Sequence, residues 1–139
     1  MSSWERVRLR IETKQNLEEV QPVKMADDDR TLSTHILDTS KGTPAPNVPL
    51  TVFRLENDSW IKLNQSQTDH DGRAWKLLTQ EQFQSGVFKL SFDVRKYFEA
   101  NQIKSFYPLI EVIVECERGQ HYHVPLLLNP FGYSTYRGT

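Results

Sequence analysis

The chain carries four histidines, and two of them stand one residue apart in His121-Tyr122-His123. In an extended strand, residues two apart project to the same face, so both imidazoles point the same way. The stretch His121-Tyr122-His123-Val124-Pro125-Leu126-Leu127-Leu128 sorts on that period. Tyr122, Val124, Leu126 and Leu128 form the core-facing set, and His121, His123, Pro125 and Leu127 share the other face. Two histidines beside Pro and Leu do not make ordinary solvent surface; the pattern predicts a subunit contact or a pocket wall. Imidazole titrates near neutral pH, so such a face can do acid–base work or hold a metal. For a metal, the only further soft ligands are His35, His70 and Cys116. Cys116 falls on the core side of its own strand, so a zinc site on His121 and His123 is the weaker reading.

Two more places bear chemistry. In Leu32-Ser33-Thr34-His35-Ile36-Leu37-Asp38, a strand with Leu32 and Ile36 inward sends His35 to the opposite face. Taken alone, that is better read as a surface histidine. In Asp69-His70-Asp71-Gly72-Arg73, the Asp-Gly pair signals a tight turn. The acidic positions and closing Glu of a calcium loop are missing. Arg73 opens the next strand, where it has little freedom and can present its planar donors to an oxygen-rich ligand. There is no Gly-x-Ser-x-Gly elbow and no phosphate-cradling glycine loop. A single core-facing cysteine is a poor nucleophile.

These positions need a scaffold, and from Thr31 onward the sequence supplies one. Short runs of period two recur between clusters of Gly, Pro, Asn and Asp, the pattern of an all-β sandwich or barrel. The clearest strand is 109–117, with Ile110, Val112, Val114 and Cys116 on one side and Glu111, Ile113, Glu115 and Glu117 on the other. Phe88, Leu90 and Phe92 repeat the pattern. Residues 60–67 and 73–78 read as two strands joined through the Asp-Gly turn, and 50–55 as another entered through Pro44, Pro46 and Pro49. One short helix is expected after Asp93, which can cap it, with Val94, Tyr97, Phe98 and Asn101 at helical spacing. Residues 1–30 differ: polar, with Pro22 and the run Asp27-Asp28-Asp29, they read as a disordered extension that cannot bury enough apolar surface to order itself. Met25 offers an alternative start within it. The folded domain is then 31–139.

Composition narrows the function classes. A chain of 139 residues fits one domain and can bury a core without metals or disulfides. A net charge of -1 gives no electrostatic case for nucleic acid. One cysteine excludes an intrachain disulfide and fits a reducing compartment. No apolar run approaches the ~20 residues of a membrane helix, and no signal-peptide core opens the chain.

The C-terminal stretch brings these pieces together. His121-Tyr122-His123-Val124-Pro125-Leu126-Leu127-Leu128, followed by Tyr133-Ser134-Thr135-Tyr136-Arg137-Gly138-Thr139, strongly resembles the C-terminal signature of the 5-hydroxyisourate hydrolases, also called transthyretin-related proteins. Chains of that family end in Tyr-Arg-Gly-Ser. Ser33-Thr34-His35-Ile36-Leu37-Asp38, Thr68-Asp69-His70-Asp71-Gly72-Arg73 and Phe106-Tyr107-Pro108 resemble its other blocks, in the family's order. The likeness runs from about Leu32 to Thr139. It implies a transthyretin-like two-sheet sandwich of eight strands with one short helix. It also implies a homotetramer, a dimer of dimers, with active sites at the dimer–dimer interface.

By the same resemblance, the family's catalytic positions map to His35, Arg73, His123 and Thr139, and the substrate-binding set to Tyr136, Arg137, Gly138 and His121. Thr139 stands where the family has serine, which keeps the hydroxyl and adds a methyl group. The implied reaction hydrolyses the lactam bond of 5-hydroxyisourate, yielding 2-oxo-4-hydroxy-4-carboxy-5-ureidoimidazoline in urate breakdown, with no cofactor. The alternative is a transthyretin-like carrier of small aromatic ligands in the inter-dimer channel, which would not need the histidine–arginine set. A cytoplasmic location is expected, with peroxisomal import as the alternative. Arg137-Gly138-Thr139 is not a Ser-Lys-Leu-type address, and Arg8-Leu9 with Gln15-Asn16 only partly resembles the N-terminal type.

Overall fold

A computed structural model describes residues 30–139, so the expected extension at 1–30 lies, Arg30 apart, outside the described residues. In chain order the elements are β1 (Leu32–Asp38), β2 (Thr43–Pro44), β3 (Pro49–Glu56), β4 (Ser59–Gln67), β5 (Arg73–Ala74), β6 (Gly86–Phe92), α1 (Val94–Ala100), β7 (Ile110–Cys116), β8 (Tyr122–Asn129) and β9 (Gly132–Thr135). One sheet runs β2-β1-β8-β9 with β5 also paired to β1; the other runs β4-β3-β6-β7. The alternating patterns meet between them. Leu32, Ile36, Val124 and Leu126 of the first sheet are buried, as are Val52, Phe88, Leu90, Phe92 and Val112 of the second. Each such side chain contributes about 1.5–3 kcal/mol of transfer free energy. The result is the expected two-sheet sandwich with one short helix. Two strands have only two residues, so the described residues hold nine strands rather than eight.

The pairing that matters most for position is β1 with β8. It is parallel and sets Ser33 opposite His123 and His35 opposite Pro125. A single-residue slip of either strand would turn its pair of these side chains to the core, so burial of Leu32, Ile36, Val124 and Leu126 fixes this register.

The stretch from 60 to 78 departs from the sequence reading. Strand β4 pairs with β3 in one sheet, while β5 pairs with β1 in the other. The Asp-Gly turn thus carries the chain between sheets instead of closing a hairpin. Residues 75–78 leave the ladder, with Leu77 and Leu78 both fully buried. Consecutive residues of a strand face opposite ways, so a strand with one wet face cannot bury both. The backbone instead bonds irregularly: the Leu77 N–H donates to the Leu32 carbonyl at 2.8 Å, and the Asn64 amide donates to the Leu77 carbonyl at 2.7 Å.

The helix forms as its capping residue predicts, the Lys96 N–H donating to Asp93 Oδ1 at 3.2 Å. Its buried side is Val94, Tyr97 and Phe98. The Tyr97 hydroxyl donates to buried Asp38 at 2.7 Å, tying α1 to the end of β1. Burial and that carboxylate push the Tyr97 hydroxyl above its ordinary range. No helix among the described residues is long and apolar enough to cross a membrane.

Candidate active site

Three strands converge on the outward face of the β2-β1-β8-β9 sheet. The β1–β5 register pairs His35 with Arg73 on that face, and Thr34 with Ala74 on the core face. The β1–β8 register adds His123, and His121, just before β8, reaches the Ser33 hydroxyl of β1. Adjacent strands therefore bring together residues 35, 73 and 123, which lie up to 88 positions apart in the chain.

The turn before Arg73 is built to aim it. Asp69 accepts through Oδ1 from the Asp71 N–H at 2.8 Å and the Arg73 N–H at 3.0 Å. Gly72 sits at φ +74°, and a Cβ there would come within 2.6 Å of the Ile36 carbonyl oxygen. Glycine alone lets the turn lie this close to β1, where the Ile36 N–H donates to the Gly72 carbonyl at 2.8 Å. The Arg73 guanidinium is then held by Asp71 at 3.2 Å and lies 4.9 Å over the Trp75 ring.

Both imidazoles are held neutral. Burial lowers the His35 pKa, aided by Arg73 and partly opposed by Asp71 and Asp69. The Nε2 atom of His35 is buried and has no hydrogen-bond partner. Burial also lowers the His123 pKa, to about 4, with His121, Arg73 and His35 adding to the effect. A neutral imidazole can accept a proton, which is the first requirement of a base. Burial pushes the Cys116 thiol the other way, to about 11, which removes it as a nucleophile.

The tail closes over one side of this face. Gly138 donates its N–H to the His123 carbonyl at 2.8 Å, and a Cβ on Gly138 would stand 2.6 Å from His123 Cδ2. Glycine is what allows the tail to lie flat on the imidazole. Arg137 stacks 4.6 Å over the Tyr122 ring and, with Tyr136 and His123, lines a cleft of about 340 Å³ between β7 and the tail. His123 thus stands where the cleft meets the histidine face. Tyr136 is exposed, as is Thr139. His70 lies apart, in a groove with Lys41 and Lys96. Among the described residues no three His, Cys, Asp or Glu side chains are grouped to hold a metal ion.

One participant had no role in the sequence reading. The Ser33 hydroxyl lies 2.7 Å from His123 Nδ1 and 3.1 Å from His121 Nε2. Its position two residues before His35 places it on the same face, a signal present in the sequence. Which strand it would face was not readable there.

Comparison with known proteins follows the same outline. The model of the HIUase/Transthyretin family matches residues 32–138. A mouse (Mus musculus) 5-hydroxyisourate hydrolase is 43% identical over 118 residues, covering 83% of this chain and all of the relative. A 5-hydroxyisourate hydrolase of Salmonella dublin is 40% identical over 109 residues, covering 78% of this chain and 80% of its own. Among solved structures, sea bream transthyretin in complex with thyroxine superposes with a TM-score of 0.74 at 34% identity, covering 78% of this chain and 94% of that one.

Proposed function

The chain belongs to the HIUase/Transthyretin family, and from that premise we propose that it is a 5-hydroxyisourate hydrolase. The observation that carries the reading is the outward face itself: two imidazoles held neutral by burial, one with an unpartnered Nε2, beside a fixed arginine. That set suits hydrolysis of a lactam. A histidine takes a proton from water as the oxygen attacks the ring carbonyl. The C–N bond then breaks and the nitrogen leaves with a proton. His35 and His123 orient and deprotonate the water. Arg73 holds the substrate oxygens and offsets the negative charge that develops on the carbonyl, a term worth ~3–4 kcal/mol for one preorganised donor. Gly138, Tyr136, Arg137, His121 and the Thr139 hydroxyl shape the pocket around the ring.

The face is open in a single chain, and it adjoins exposed Trp75 and Tyr136. A homotetramer, built as a dimer of dimers, would cover it and exclude bulk water, which strengthens each of these electrostatic contacts. A carrier of small aromatic ligands on the same fold has less support, because binding alone does not call for two neutral imidazoles and an aimed arginine.

The direct test is ring-opening of freshly generated 5-hydroxyisourate, followed by ultraviolet absorbance, with light scattering to give the assembly size. Wild type should accelerate the decay, and His123→Ala and Arg73→Ala should fall close to the spontaneous rate. A folded wild-type protein that leaves the spontaneous rate unchanged would refute the hydrolase reading and favour the carrier.

A further inference from the structure

The Ser33 hydroxyl, between His121 and His123, has one hydrogen to give. It can donate to at most one of the two ring nitrogens it touches, so at least one ring must donate to it, and its two lone pairs can accept from both. When the hydroxyl donates to one ring, Ser33 Oγ locks His121 and His123 into complementary tautomers. Its surroundings make the lock firm. Ser33 is 2% exposed, so water does not compete for its hydrogen bonds. Its backbone is set by the parallel β1–β8 register that places it opposite His123.

We propose that Ser33 is a positioning residue of the hydrolase site, linking His121 to His123 so that the bare nitrogen of His123 is Nε2. The inference rests on the hydrolase reading given above. In this arrangement His123 Nδ1–H donates to Ser33 Oγ at 2.7 Å, and the Ser33 hydroxyl donates to His121 Nε2 at 3.1 Å. The Nε2 lone pair of His123 is left to take the proton from the attacking water. As that proton arrives, the imidazolium that forms keeps its Nδ1–H directed at an oxygen acceptor, which stabilises the positive ring. No proton needs to pass through Ser33; it remains a hydroxyl throughout. Besides shaping the pocket, His121 then acts through Ser33, by fixing the direction of its hydrogen. In the opposite arrangement His121 would donate to Ser33 and Ser33 to His123 Nδ1. His123 Nε2 would carry a hydrogen and could not serve as the base.

The test reads the tautomer and the kinetics separately. In protein labelled with ¹⁵N-histidine, the resting wild type should show His123 Nδ1 as the protonated nitrogen and Nε2 as the bare one. In Ser33→Ala that preference should weaken or reverse. Turnover of 5-hydroxyisourate by Ser33→Ala should show kcat lowered about 10–100-fold, the usual loss when a histidine's orienting partner is removed, with KM changed by less than about twofold. Ser33→Thr, which keeps the hydroxyl, should recover most of both readouts. The proposal is overturned by a wild-type His123 protonated at Nε2. It is equally overturned by Ser33→Ala at full kcat, or by a kcat loss with the ring nitrogens unchanged. A wild type without turnover would sink the hydrolase reading instead, and the nitrogen signals would still judge the tautomer assignment.

Discussion

On the outward face of the β4-β3-β6-β7 sheet, Lys89 lies 3.5 Å from Glu111 and over the rings of Phe53 and Trp60. On the outward face of the other sheet, His35 Nε2 has no partner, and Arg73 is held at the rim by Asp71. Both faces obey the same period-two rule, and both place an apolar residue among polar ones: Ile113 on β7, Leu127 on β8. Both cations are paired with a carboxylate; what differs is that the second face also carries an imidazole nitrogen without a partner. Charges of opposite sign on neighbouring strands quench each other and leave nothing to react. Neutral imidazoles beside an arginine leave a ring nitrogen whose hydrogen-bonding capacity the chain does not use. On this face the unused capacity belongs to a titratable ring, whereas the unpartnered Ser66 hydroxyl on β4 has no such neighbour set.

The comparison can be broken most sharply at His35. His35→Ala should lower kcat/KM about 10²–10⁴-fold, the range for a positioned acid–base group. Thermal melting should fall only modestly, because the ring gives up one hydrogen bond, to the Asp71 backbone, while its Nε2 made none. A large drop in Tm with modest loss of turnover would make His35 a structural residue. Gly72→Ala comes next. A side chain at φ +74° pressed against the Ile36 carbonyl should cost about 1–3 kcal/mol in denaturant unfolding, and should disturb Arg73 as well.

Acidity should act more gently over the working range. The folded chain keeps His123 neutral down to about pH 4, whereas the unfolded chain protonates it near 6.5. Between those values the unfolded state binds more protons, so this group makes stability fall as pH drops from 6.5 toward 4 and leaves it level above 6.5. For the same reason the acid limb of kcat/KM that reports His123 should lie well below that of free histidine. A limb centred near 6.5 would contradict the burial. The smallest effect belongs to the other sheet. Glu111→Gln removes a half-exposed ion pair and should cost no more than ~1 kcal/mol, with turnover unchanged.

Much of this was legible in residue order. Strands β1, β6, β7 and β8 and the Asp93-capped helix follow from local patterning, since each turns a periodic set of apolar residues to the core. The stretch 73–78 was misread because adjacent Leu77 and Leu78 both reach the core, a burial no strand pattern encodes. The Asp-Gly turn was recognised as a turn, but its route between sheets depends on which strands its flanks pair with. Ser33 was visible on the face of His35 yet carried no signal of its own, because its partners lie 88 and 90 residues away.

The sequence by itself determined the two faces of each strand, the apolar core, and the residue types available for chemistry. Those properties depend on side-chain period and transfer free energy, which act over a few neighbouring residues. Only the tertiary structure decided that β1 lies parallel to β8 and antiparallel to β5, and so that His35, Arg73, Ser33 and His123 share one surface. Pairing between distant strands is chosen by the joint burial of both sheets, and the depressed pKa values arise from that burial. Neither is a property of any local stretch of chain.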